Sequence, residues 1–118
     1  MFENANPERL PTGQLVLNVT PHYLPYIYEG VPNAIPNSEV LVRADYTKKQ
    51  TGYFGKTPIF EDNYVANPKV QQAINEYVTN HPSIVLLGSR VSAQCYKNVY
   101  CLTYSEEENR MFIITEFI

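Results

Sequence analysis

The amino-acid sequence predicts an α+β domain: a mostly antiparallel sheet of four to six strands, one α-helix packed on a face of that sheet, and a long loop rich in proline and tyrosine. Two segments, which begin at Gln14 and at Glu39, alternate apolar and polar residues with the period of a half-buried strand. One segment, 68–79, carries the apolar stripe of an amphipathic helix. Several strand candidates and one helix fit the α+β class.

Composition indicates one folded domain over residues 1–118, since 44% of the residues are apolar and only 18% are charged. Nine basic and twelve acidic residues give a net charge of −3, which supplies no global attraction to nucleic acid or to an anionic membrane. The first nine residues do not have the basic start and apolar run of a signal peptide, and the longest apolar stretch is far shorter than the ~20 residues of a membrane span. We therefore expect no membrane partner and a cytoplasmic location, either the host cytoplasm or the virion if the protein is viral.

Proline and glycine divide the first part of the chain into an arm, a strand and a loop. Residues 1–13 contain two prolines and a glycine and predict an extended arm. Residues 14–20 place leucine and valine on one face and predict a half-buried strand that ends at Pro21. The segment 21–38 combines four prolines with large apolar side chains, so neither a helix nor a central strand fits there. We expect a long loop that lies against another surface, because a mobile loop would expose those side chains to water.

The helix over 68–79 is the best-defined element of the sequence. Asn67 can cap its amino end, Pro68 suits the first helical position, and the sequence from Asn80 to Pro82 ends it. Apolar side chains at helical spacing form the face that we expect to pack on the sheet: Val70, Ala73, Ile74, Tyr77 and Val78.

The remaining strand candidates lie on both sides of this helix. Residues 39–46 alternate with valine and alanine facing inward, and the continuous apolar run 83–88 suits a central strand covered on both faces. Three further strands are predicted at Val91–Tyr96, Val99–Tyr104 and Arg110–Ile118. The last two join through a polar tip at 105–109, which gives the element order β-β-α-β-β-β-β.

A cluster of cations and aromatic rings lies in the turn-rich stretch between the second strand and the helix. Lysines and rings side by side are what a groove for single-stranded nucleic acid uses, the lysines for phosphates and the rings for bases. The alternative is a solvated hairpin tip whose aromatic rings fold back onto the core, and it is favoured because Glu61 and Asp62 would oppose phosphate. The candidate residues for contact with an anion or nucleic acid are Lys48, Lys49, Tyr53, Phe54 and Lys56.

The cysteines and histidines predict neither catalysis nor metal binding. Cys95 and Cys101 are placed symmetrically about Asn98, so a hairpin with a three-residue loop there would bring them opposite each other. A two-residue turn at Lys97-Asn98 would instead pair Cys95 with Tyr100. In a reducing cytoplasm we expect both thiols to remain free. His22 and His81 have no further ligand at a familiar metal-site spacing, and we expect no cofactor.

The function predicted from these features is non-enzymatic: a protein–protein interaction or assembly protein, for example a small structural component of a phage or virus. We expect Tyr23, Tyr26, Tyr28 and Ile35 to form or flank a surface for a protein partner or a homo-oligomer, with the arm contributing. The same segment could instead cover one open face of the sheet. Two other functions remain open, a viral inhibitor of a host enzyme and a nucleotide or single-stranded nucleic-acid binder that uses 48–56.

Overall fold

A computed structural model describes residues 1–105 and 110–113, with side chains described through Leu102. Over these residues the chain forms ten strands and two helices. In chain order the elements are β1 (Glu8–Arg9), β2 (Leu15–Asn18), β3 (Leu24–Tyr28), β4 (Val31–Ile35), β5 (Asp45–Phe54), β6 (Thr57–Val65), α1 (Pro68–Asn80), β7 (Ile84–Leu87), α2 (Arg90–Cys95), β8 (Val99–Tyr100), β9 (Leu102–Ser105) and β10 (Arg110–Ile113).

The α+β class and the predominance of antiparallel pairing are confirmed, but the strands do not form one antiparallel sheet. The central sheet has the order β1-β2-β7-β8, and within it β2 pairs with β7, and β7 with β8, in parallel. The other strands form three antiparallel two-stranded units, β3-β4, β5-β6 and β9-β10. Parallel strands need cover on both faces, which explains why β7 is an unbroken apolar run.

The core lies on both faces of the central sheet. Leu17 and Leu86 point to one face, where they pack with Ile74 of α1 and with α2. Val16 and Leu87 point to the other face, where they pack with Ile35 of the β3-β4 hairpin. Successive side chains along β2 and β7 therefore pack on opposite faces of the sheet, as the alternation of side chains along a strand requires.

The segment 21–38 is a β-hairpin, so the prediction of a long loop is wrong. Glu29 and Gly30 both have positive φ, 49° and 76°, as a tight turn of this kind requires. Pro25 and Pro32 are tolerated because each strand of a two-stranded unit has a free edge, where the missing N–H donor is not needed. The hairpin covers one face of the central sheet, which is the alternative that the sequence left open.

The helix prediction is confirmed and the arm prediction is corrected. The Asn67 side chain accepts hydrogen bonds from the N–H groups of Lys69 and Val70, at 3.0 and 3.4 Å, and Ile74 is fully buried. The predicted arm is folded against the domain, since β1 pairs with β2 and the ring of Phe2 stacks on Tyr77 with centroids 4.5 Å apart.

Two other strand predictions are corrected. Residues 91–96 belong mostly to α2, because the Ser89 side chain accepts a hydrogen bond from the N–H of Ser92 at 3.1 Å and starts a helix there. The chain does reverse at Asn98, where φ is 66°, but it joins a helix to a strand. Cys95 and Cys101 are therefore not opposed across a hairpin and form no disulfide. Their thiols donate to the carbonyls of Tyr64, at 3.5 Å, and of Leu102, at 3.3 Å. Of residues 39–46 only the last two are in a strand, although Val40 and Val42 are buried.

Part of the last predicted hairpin lies outside the described residues. β10 pairs with β9 in antiparallel fashion from Arg110↔Ser105 to Ile113↔Leu102. Residues 106–109 of the predicted tip and residues 114–118 of the predicted strand are not described. Within the described ranges no helix has the length and apolar character needed to cross a membrane.

Candidate functional site

The most unusual feature of the structure is a long two-stranded ribbon, residues 45–65, formed by β5 and β6. The register runs from Asp45↔Val65 at its base to Phe54↔Thr57 at its tip, with a bulge between Gln50 and Gly52. Every residue of the ribbon except Gly52 is exposed. At about 3.3 Å per residue the ribbon is ~30 Å long. The Cα positions of the molecule extend over 56 × 36 × 24 Å.

The ribbon has two unlike faces, because directly opposed residues share a face and successive residues along a strand alternate. One face, called here the aromatic face, carries four exposed rings. Their exposed fractions are 49% for Tyr46, 67% for Tyr53, 52% for Phe60 and 43% for Tyr64. The other positions on this face are Lys48, Gln50, Pro58 and Asp62. The opposite face carries the remaining residues, of which Phe54 at 82% is the most exposed.

Charges on the ribbon balance in pairs. Lys48 lies opposite Asp62 on the aromatic face, and Lys49 lies opposite Glu61 on the other face. The Tyr46 hydroxyl donates a hydrogen bond to Asp62 Oδ1 at 2.6 Å, and this bond is the main reason why the pKa of Tyr46 lies above its usual value. Each central lysine therefore has a carboxylate directly across the ribbon, and neither of these two pairs of side chains forms an ion pair.

The predicted nucleic-acid cluster is thus brought onto one hairpin but divided between its faces. Lys48 and Tyr53 lie on the aromatic face, whereas Lys49 and Phe54 lie on the opposite face and Lys56 is in the turn. A groove for single-stranded nucleic acid needs cations and rings on the same side. The alternative, in which the rings fold back onto the core, is wrong, because both rings are exposed to solvent.

One buried hydroxyl fixes the base of the ribbon. Tyr96, which is 3% exposed, follows α2. Its hydroxyl donates to the carbonyl of Arg43 at 2.8 Å and accepts from the N–H of Asn67 at 2.9 Å. Arg43 precedes β5 and Asn67 follows β6, so a single side chain holds both legs of the ribbon. The Asn67 amide also donates to Asp45 at 3.3 Å.

A cleft of about 730 Å³ opens at the base of the ribbon, beside the residues that follow β2 and β7. Three residues of the aromatic face line it, Tyr46, Asp62 and Tyr64, and none of the opposite face does. The cleft therefore opens on the aromatic side of the ribbon. Its apolar walls are formed by Leu24, Leu41, Val42, Ala44, Val91 and Leu102.

Two hydroxyl groups that line the cleft are already hydrogen bonded. The Ser92 hydroxyl donates to the carbonyl of Val42 at 3.1 Å, and that of Thr20 is bonded to Asn18 at 2.6 Å. Burial raises the pKa of the Cys101 thiol, with Arg90 partly opposing it, so this thiol is a weak nucleophile at neutral pH. Across the described residues no group of three histidine, cysteine or acidic side chains is placed to hold a metal ion.

Of the four residues predicted to contact a partner, the structure buries one and leaves the three tyrosines exposed or half-buried. Tyr23 is exposed, Tyr26 and Tyr28 are half-buried, and Ile35 is 1% exposed in the core. Burial is the main reason why the pKa of Tyr26 is raised. Ile35 is therefore unavailable to a partner, and the hairpin serves chiefly as cover for the sheet.

The residues that sequence reasoning missed are Tyr46, Phe60 and Tyr64. No period-two alternation marked them, because the large side chains of 57–65 come as adjacent pairs, Ile59-Phe60 and Tyr64-Val65. Comparison with protein-family models, with curated proteins and with solved structures found no match to this chain.

Proposed function

We propose that this protein is a non-enzymatic protein–protein interaction or assembly protein that docks its partner on the aromatic face of the ribbon. The observation that carries the proposal is the presence of four exposed aromatic rings on one face of a ribbon whose residues are almost all exposed. The rings lie in two groups, Tyr46 with Tyr64 at the base and Tyr53 with Phe60 near the tip, and Lys48 and Asp62 lie between them. Apolar surface rimmed by polar residues in this way is typical of interaction sites. Tyrosine and phenylalanine are also enriched where binding energy concentrates.

The exposed area of the four rings is large enough to contribute substantially to binding. The exposed fractions of the four rings sum to about two whole side chains. At roughly 200 Å² per aromatic side chain this is ~400 Å² of surface. Burial of that area is worth roughly 10 kcal/mol before the entropy of association is subtracted. A two-stranded ribbon is marginally stable by itself, so a partner that covered it would also stabilise it.

Two features of the ribbon make it ready for docking. Tyr96 holds both legs at the base, which limits the entropy lost when the ribbon binds. The cross-strand pairs of Lys48 with Asp62 and of Lys49 with Glu61 leave little net charge along it. A protein surface of mixed character suits such a face better than a polyanion, because phosphate binding draws on uncompensated cations.

The test is to map the contacts of the full chain in extracts of the cells that produce it, by cross-linking and mass spectrometry. A photo-reactive phenylalanine at position 53 on the aromatic face should form protein adducts, and the same probe at exposed Tyr23 is the matched control. Adducts from position 23 with none from position 53 would contradict the proposal. Salt-sensitive retention of nucleic acid by the chain would favour the other function instead.

A further inference from the structure

We propose that the partner of the aromatic face is a second copy of this chain, and that each copy places the tip of its ribbon in the cleft of the other. This inference rests on the proposed function, since it requires the aromatic face to be a docking surface. Beyond the proposed function, it identifies the partner and names the site in which the tip binds. The tip is defined here by Tyr53, Pro58 and Phe60.

The cleft and the tip lie at opposite ends of one face. Tyr46 and Tyr64 at the base of the aromatic face line the cleft, whereas Tyr53 and Phe60 project from the same face further along. About seven residues, or ~20 Å of strand, separate Tyr46 from Tyr53. The two ends are joined by a continuous antiparallel ladder, so the tip cannot fold back into its own cleft.

A two-fold axis between the two copies lets both contacts form together. When two ribbons pack with their aromatic faces together and run in opposite directions, a two-fold axis at mid-ribbon brings each tip over the other base. Both tip-to-cleft contacts then form at once, as an isologous interface requires. With the axis between the level of Lys48 and that of Gln50, neither Lys48 nor Asp62 faces its own symmetry mate. The interface therefore closes without opposed like charges.

The rings of the tip fit the cleft in size and in chemical character. The cleft has a volume of about 730 Å³ and walls rich in leucine and valine, among them the exposed Leu41. An apolar cleft of this size is matched by bulky rings. The four rings of the aromatic face supply ~400 Å² per copy, or ~800 Å² for the pair. This is about two thirds of the ~1,200 Å² at which stable interfaces begin, and the cleft walls, Gln50 and Pro58 add further area.

The experiment is sedimentation velocity on the full chain over a wide dilution series. The expected result is a reversible monomer–dimer equilibrium. Tyr53→Ser should weaken the dimer at least about 30-fold, because a buried aromatic anchor is replaced at both symmetric contacts. Phe60→Ser should act in the same direction and serves as the second tip variant. Phe54→Ser is the matched control, since Phe54 is the more exposed ring but lies on the opposite face.

A mixing experiment tests the exchange of tips directly. Leu41→Glu impairs the cleft and leaves the tip intact, whereas Tyr53→Ser impairs the tip and leaves the cleft intact. Each variant alone retains no intact contact in its dimer, but a mixed dimer of the two retains one. The mixture should therefore associate more strongly than either variant alone. Failure of the mixture to recover association would overturn the exchange.

Other results separate this inference from the proposed function. A wild-type chain that is monomeric at every concentration overturns the second copy as partner, as do open polymers or an equal effect of Phe54→Ser and Tyr53→Ser. If the monomer nevertheless forms adducts with a different protein through the probe at position 53, the proposed function stands without self-association. If neither a dimer nor any adduct forms through position 53, both proposals fail.

Discussion

Removal of the Tyr96 hydroxyl is expected to loosen the base of the ribbon. Tyr96→Phe keeps the buried ring among its core neighbours and removes only the oxygen. The oxygen accepts from the N–H of Asn67 at 2.9 Å and donates to the carbonyl of Arg43 at 2.8 Å, so both backbone groups lose a partner. The two legs of the ribbon would then no longer be joined through this side chain.

The magnitude follows from the two hydrogen bonds. Each contributes about 0.5–1.5 kcal/mol to the free energy of unfolding. Because Arg43 is exposed and Asn67 half-buried, water can reach both groups, and we expect a total loss of about 2 kcal/mol. For a domain of this size, that loss lowers the melting temperature by roughly 8 °C.

Urea unfolding followed by circular dichroism measures the loss, and hydrogen exchange locates it. The Asn67 amide should exchange faster in Tyr96→Phe than in the wild type. Tyr23→Phe makes the same chemical change at an exposed position and should leave the stability unchanged. If the two variants unfolded at the same urea concentration, the view that Tyr96 holds the ribbon in place would be refuted.

Three further predictions concern the core and the ribbon. Ile74→Ala should lower the free energy of unfolding by about 2–5 kcal/mol in urea titrations, because Ile74 is fully buried, and a loss below 1 kcal/mol would argue against the helix packing. Gly88→Ala should cost about 1–3 kcal/mol in the same assay, since its Cβ would meet Val99 Cγ1 at 2.7 Å, and an unchanged midpoint would show that the site has room. Asp62→Asn should lower the pKa of Tyr46 in an ultraviolet titration. A tyrosine whose pKa is raised by folding stabilises the folded state fully below its unfolded pKa of about 10, and this stabilisation is lost as the pH rises through the higher folded pKa. The Asp62→Asn variant should therefore lose less stability than the wild type above pH ~10.

The sequence alone predicted an element correctly where several features of one segment indicated the same secondary structure. For α1, the cap at Asn67, the proline after it and the apolar stripe all pointed to a helix, and the structure has one. The run 83–88 was expected to be a strand buried on both faces, and β7 is such a strand between two packed layers. In both cases the signals derive from backbone hydrogen bonding or from side-chain period, which nearby residues determine.

Local rules failed where the outcome depended on what lies next to a segment. Prolines exclude a central strand, but they permit a strand with a free edge, and only the pairing of β3 with β4 shows that such an edge exists. The six residues of α2 are too few for periodicity to separate a helix from a strand, so the cap at Ser89 and packing on Val42 and Tyr96 decide it.

The candidate site shows the same division. The sequence alone identified a stretch with lysines and rings near Lys48–Lys56, and the structure places that stretch at the centre and tip of the ribbon. Alternation along a strand tells which side chains share a face, but it does not tell whether a core lies beneath either face. Strand register and the position of Tyr96 decide three features of the site. Both faces of the ribbon are exposed, each central lysine lies opposite a carboxylate, and the cleft lies on the aromatic side. These are long-range contacts, and tertiary structure alone decides them.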